Sequence, residues 1–127
     1  MNWARNPEAA RRFAERRQRE DEAPRLAETV PKLLELGIKF MEGNPGIANP
    51  EGSHTRRVVV ATAPALFVMP CGDSQCREGG HELTVKILSA LRAEERLFEG
   101  EDCCRGVIGT ANCRRVLRYV ATATYRS

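Results

Sequence analysis

Cys71, Cys76 and His81 stand at five-residue intervals in the stretch MPCGDSQCREGGHELT, and Cys103, Cys104 and Cys113 follow some twenty-five residues later. Zinc takes four thiolate or imidazole ligands in a tetrahedron, so two such segments could each supply half a site. In Cys71-x4-Cys76 the intervening GDSQ can turn. In Cys104-x8-Cys113, Gly106 and Gly109 permit a tight knuckle. His81 competes for the fourth place. Read at the start of a helix, it has an imidazole that the helix dipole keeps neutral and fit to bind metal. Two ligand sets follow, both built on Cys71, Cys76 and Cys113, with either Cys104 or His81 as the fourth. The x4 spacing departs from the x2 spacing of standard zinc ribbons.

Two other readings stand beside this one. Cysteine packs readily in apolar interiors, so the thiols could be plain core residues. Alternatively, the chain is a thiol redox enzyme or sensor. Cys76 lies beside Arg77 and shortly before a helix, both of which favour thiolate, and Cys103-Cys104 is a vicinal pair open to reversible oxidation. Against that reading, no Cys-x-x-Cys is present, and Glu78, Glu99, Glu101 and Asp102 would raise a nearby thiol pKa. No phosphate loop, dinucleotide fingerprint or nucleophile elbow occurs. A structural zinc in a binding or regulatory module is the reading favoured here, with catalysis not expected.

The elements that must position these residues read as follows. After Asn6-Pro7, a cap and first turn, EAARRFAERRQREDE is rich in helix formers, but its apolar stripe is thin: Ala9, Ala10, Phe13 and Ala14. It predicts an exposed helical arm over 1–23, through which a dimer could form, ahead of an α+β domain over 24–127. Pro24 and Pro31 confine the next segment to a turn or two of helix. Ile38 and Phe40 alternate with Lys39, as in a half-buried strand, and NPGIANPEGS reads as a loop. HTRRVVVA is a second strand and ALFVMPC a third, buried on both faces. Leu83, Ile87, Leu88 and Leu91 share one face of a helix expected from His81 to about Leu97. GEDCCRGVIGTANC reads as a loop, and CRRVLRYVATATYR as a final strand with Leu117, Tyr119 and Ala121 on one side. The expectation is a mostly antiparallel four-stranded sheet of order β-β-β-α-β, with one helix packed on it. Cys113 would meet Cys71 by antiparallel pairing of the last strand with ALFVMPC.

Charge is unevenly spread. Residues 1–19 carry six arginines and two acids, residues 71–102 four bases and eight acids, and residues 103–127 five arginines and no acid. Arginine outnumbers lysine 17 to 3, which suits phosphate or carboxylate partners but also a GC-rich coding sequence. Arg56 and Arg57 on one strand, with Arg114, Arg115 and Arg118 on the last, make a candidate nucleic-acid stripe, although Tyr119 and Tyr125 lie on its other face. A protein is the alternative partner. No apolar run approaches a membrane span, and the start lacks a secretory pattern, so a cytoplasmic location is expected. An odd count of five cysteines argues against a disulfide framework.

Over PALFVMPCGDSQCREGGHELT and FEGEDCCRG…CRRVLRYVATATY, roughly the last half, the chain resembles a group of small uncharacterised bacterial proteins with cysteine and histidine in their core. The resemblance implies that these segments form one unit. It implies no activity, and the arginine-rich start lies outside it.

Overall fold

A computed structural model describes residues 7–43, 52–73 and 75–127. The Asn6 cap and most of the loop expected over 44–53 lie outside them. The fold is α+β. Helix α1 (Pro7–Glu22) and the single turn α2 (Leu26–Thr29) precede strand β1 (Leu33–Gly43), which pairs with β2 (Gly52–Val58). Short strands β3 (Val68–Met69) and β4 (His81–Glu82) pair with each other. Helix α3 (Thr84–Arg92) follows, then β5 (Leu97–Cys103), the small hairpin β6 (Val107–Ile108) and β7 (Ala111–Asn112), and β8 (Val116–Tyr125). The main sheet is antiparallel throughout, in the order β2-β1-β8-β5.

Alternation fixes the sheet's inner face. Leu36, Ile38 and Phe40 of β1 turn inward with Leu117, Tyr119, Ala121 and Ala123 of β8, all buried. Against them packs α3, whose Ile87, Leu88, Ala90 and Leu91 repeat at helical spacing, with Leu83 just ahead. A strap through Ala65 and Phe67 closes the core beside α2. Leu26 N–H donates to Ala63, Ala65 N–H to Pro24, and Leu83 N–H to Phe67. No helix among the described residues is long and apolar enough to cross a membrane.

Four expectations about individual elements are corrected. The fourth sheet strand is Leu97–Cys103, where the sequence predicts the end of a helix and, from Gly100, a loop. ALFVMPC contributes only the two-residue β3, outside the main sheet. Helix α3 starts at Thr84, not His81, because residues 81–82 are spent pairing with β3. It ends at Arg92. Glu94 then adopts a left-handed conformation (φ 56°), and Glu95 N–H reaches back to the carbonyl of Ala90, a helix-terminating arrangement usually given to glycine. Finally, β1 begins at Leu33, four residues before the alternation becomes obvious, with a register shift between Leu33 and Glu35.

The α3–sheet contact should dominate the fold's stability. Leu91→Ala removes a fully buried side chain from that contact. It is expected to cost about 2–5 kcal/mol in urea unfolding, whereas Leu97→Ala, at 70% exposure, should stay within about 0.5 kcal/mol of wild type.

Candidate metal centre

Two knuckles face each other at one end of the sheet. The first follows β3. Asp73 holds it: its carbonyl accepts the N–H of Cys76 at 3.1 Å and its carboxylate that of Gln75 at 2.9 Å. The second runs from the end of β5 to the start of β8. Cys104 N–H donates to Arg115 and Cys113 N–H to Gly106, both at 2.8 Å, so the two ends of the x8 segment lie side by side. Gly109 (φ 62°) turns the β6–β7 hairpin between them. Arg77 and Val107 exchange backbone hydrogen bonds of 2.8 and 2.9 Å, which stitch the knuckles together.

The result is a cluster of four sulfurs. Sγ atoms of Cys71, Cys76, Cys104 and Cys113 all lie within 4.8 Å of one another. Cys71 and Cys113 are 3.8 Å apart and Cys76 and Cys104 3.6 Å. Cys76, Cys104 and Cys113 are buried and Cys71 is half-buried. Such a set could hold a metal ion. Backbone N–H groups point at the sulfurs as well, from Gly80 (3.3 Å) and Gly106 (3.4 Å) to Cys104 and from Asp73 (3.5 Å) to Cys71. As free thiols the four are unlike. Burial pushes Cys71 far up and Cys76 up to about 11. Burial acts on Cys104 in the same direction, but the N–H groups of Gly106 and Gly80 and the neighbouring thiols outweigh it and hold that group below its ordinary value.

The close approach of the two knuckles requires glycine. A Cβ on Gly106 would meet the Cα of Gly79 at 2.6 Å and the carbonyl of Arg77 at 2.7 Å, as well as the sulfur of Cys76. One on Gly79 would meet the sulfurs of both Cys76 and Cys104.

His81 is not in the cluster. It sits on β4 with a side chain closed to solvent. Nε2 is 2.9 Å from Glu42 and Nδ1 3.1 Å from Asp102. Glu42, Leu117 and Asp102 form one cross-strand row on the inner face of β1, β8 and β5, and the imidazole spans that row. Glu42 also takes Arg115 Nε at 2.9 Å and the Gly72 N–H at 3.1 Å. Burial would raise its pKa, but Arg115, Gly72 and His81 together hold it below the usual carboxylate range. The network ties Gly72, next to Cys71, and Arg115, two residues after Cys113, to the middle of the sheet. Sequence reading missed Glu42 and Asp102 as inward-facing residues. The only available signal was Glu42's parity with Ile38 and Phe40.

The remaining candidates are dispersed. Cys103 is exposed while Cys104 turns into the cluster, so the vicinal pair diverges. Arg56 and Arg57 are exposed on β2 but point to opposite faces; Arg56 shares the register row of Ile38 and Arg57 that of Gly37. Arg114 is exposed ahead of β8. Arg118 is exposed and lies 3.4 Å from Glu101, and Arg115 is taken up by Glu42. Helix α1 reaches the first knuckle: Arg12 donates to the Cys76 carbonyl at 3.2 Å, and Arg19 pairs with Glu82 at 2.7 Å. No family model, curated protein or solved structure matches the chain.

Gly106→Ala is expected to weaken metal binding by about 10–100-fold in competition with a chromogenic chelator, since its Cβ forces the Cys76 thiol outward. Gly37→Ala meets only Thr122 at an ordinary 3.6 Å and should leave affinity unchanged. His81→Leu strands two partly buried carboxylates and should cost about 1–3 kcal/mol in chemical unfolding.

Proposed function

We propose that the chain is a small zinc-stabilised binding module, with zinc held by Cys71, Cys76, Cys104 and Cys113 in a structural role. The observation that carries this reading is the sulfur cluster. A tetrahedron with Zn–S bonds of about 2.3 Å has edges of about 3.8 Å, and the two sulfur pairs lie 3.6 and 3.8 Å apart. All-sulfur tetrahedral sites select zinc or iron. A polynuclear iron–sulfur cluster interposes bridging sulfides and sets its cysteines farther apart than one ion does. Four protein ligands leave no open position for substrate, which supports a structural role over a catalytic one. Five unpaired cysteines suit a reducing compartment, the cytoplasm.

The redox alternative finds less support. A thiol pushed up to about 11, as at Cys76, is a poor nucleophile at neutral pH. Among partners, a protein is favoured over nucleic acid, because the arginines of β2 diverge and Arg115 is committed to Glu42.

Elemental analysis of the purified chain should find one zinc per molecule. Cys103 alone should alkylate quickly, and the other four thiols only after a chelator is added. Cys104→Ser should lose the metal, while Cys103→Ser should keep it. A metal-free chain with one fast-reacting buried thiol would favour the redox alternative.

A further inference from the structure

The four sulfurs differ in what can reach them. Cys76, Cys104 and Cys113 are 6%, 3% and 3% exposed, whereas Cys71 is half-buried and is the member of the cluster that solvent touches. N–H groups guard them unequally as well. Cys104 takes two, from Gly80 and Gly106, and Cys71 a single long one of 3.5 Å from Asp73. Among the described residues, none is directed at Cys113. Hydrogen bonds to a thiolate draw off its charge and dull it as a nucleophile, so Cys71 and Cys113 are less protected than Cys104.

Proximity decides which sulfurs would join on oxidation. Cys71 and Cys113, 3.8 Å apart, belong to different knuckles, and so do Cys76 and Cys104, 3.6 Å apart. A disulfide sets its sulfurs at about 2.05 Å, a gap that side-chain rotation can close from there. Backbone bonds that need no metal keep the knuckles in place meanwhile. Arg77 and Val107 exchange theirs at 2.8 and 2.9 Å, and Glu42 holds both Gly72, beside Cys71, and Arg115, two residues after Cys113. Disulfides within a knuckle, Cys71 to Cys76 or Cys104 to Cys113, would leave the two free to part. The short pairs staple one to the other.

From the exposure of Cys71 and the cross-knuckle pairing, we infer that Cys71 is an oxidative modification site, through which a hydroperoxide discharges the metal while the knuckles stay joined. The inference deepens the zinc reading and rests on it. Zinc does not change oxidation state, but it keeps its cysteines deprotonated at neutral pH, the form that peroxide attacks. The Cys71 thiolate attacks the peroxide; an S–O bond forms, the O–O bond breaks, and the departing hydroxide takes a proton to become water. The Cys113 thiolate then attacks the Cys71 sulfur. An S–S bond forms, the S–O bond breaks, and a second hydroxide leaves as water. Two thiolates give up two electrons, and one peroxide takes them with two protons. Cys76 and Cys104 remain as two ligands of four, too few to retain the ion. Cys103 is exposed but outside the cluster and takes no part.

The test exposes the full-length chain, its zinc counted on the same sample, to hydrogen peroxide beside a metallochromic indicator, then alkylates it and maps its disulfides by mass spectrometry. Expected are release of the zinc, a disulfide between Cys71 and Cys113, and a cooperative urea transition that survives the release. Stripping the reduced chain with a chelator should weaken that transition more. Dithiothreitol with added zinc should restore the starting state. Cys71→His keeps a fourth ligand but no oxidisable sulfur at the surface, and should slow release about tenfold or more. Cys103→Ser should leave the rate unchanged. Should the histidine variant hold no zinc, the disulfide map of the wild-type chain decides alone. Zinc retained while Cys103 oxidises would overturn the inference and leave the metal reading standing. A purified chain without zinc would overturn both. Release accompanied by a disulfide through Cys103, by one within a single knuckle, or by loss of the urea transition would overturn the inference alone.

Discussion

Four cysteine sulfurs within 4.8 Å of one another, most of them buried, are an arrangement that thiols alone do not favour. As thiolates they repel one another; as thiols they are weak hydrogen-bonding groups packed where apolar side chains would do better. Yet the backbone is shaped around them. Three N–H groups point at sulfur, two glycines clear space between the knuckles, and Asp73 holds the first knuckle's turn. A divalent cation held there would answer the charge of the thiolates, and its binding free energy would become folding free energy for segments with little regular structure of their own. Strands β3, β4, β6 and β7 have two residues each. Pairs that short do not persist unaided in water.

The carboxylate–imidazole–carboxylate row transmits that constraint to the sheet. Glu42 and Asp102 lie on the inner face, where apolar residues would be expected, and one on each side of Leu117. Inward acids on a sheet are tolerated only when paired. His81 engages both, and Arg115 and Gly72 add further bonds to Glu42. Because Gly72 and Arg115 flank Cys71 and Cys113 in sequence, the same residues that satisfy Glu42 also aim two of the sulfurs.

Legibility in the sequence followed burial. Helix α3 was plain because Leu83, Ile87, Leu88 and Leu91 repeat on one face, and β8 was plain because every one of its residues but Arg118 is apolar or β-branched. The α+β class and antiparallel sheet followed from those. The strand β5 was hidden because its inward positions are Phe98, Gly100 and Asp102, a single apolar residue among three. Gly100 serves Tyr119 and Asp102 serves His81, so neither advertises a core. ALFVMPC misled in the opposite way: Ala65 and Phe67 fill the core from an irregular strap, and only Val68 and Met69 pair with another strand, the two-residue β4. The cysteines were legible as a group. The choice between Cys104 and His81 turned on where α3 begins, and residues 81–82 pair with β3 through a contact that no local pattern encodes.

One strand thus serves both ends of the molecule. The last residues of β5 lead Cys104 into the sulfur cluster, Asp102 meets His81, and Gly100 leaves room for the Tyr119 ring, whose oxygen a Cβ there would meet at 2.6 Å. A strand with one large inward side chain has little to fix its register, and a slip of one residue would turn Phe98 and Asp102 outward and bring Glu99 and Glu101 into the core. Pairing with β8 opposes that slip along the whole strand, and Cys104, Asp102 and the edge-on contact of Phe98 with Tyr119 anchor it with specific side-chain chemistry. On the proposed reading, a metal bound at one end would therefore help to hold the whole of β5 in register, and its ordering effect would reach farther than the knuckles it binds.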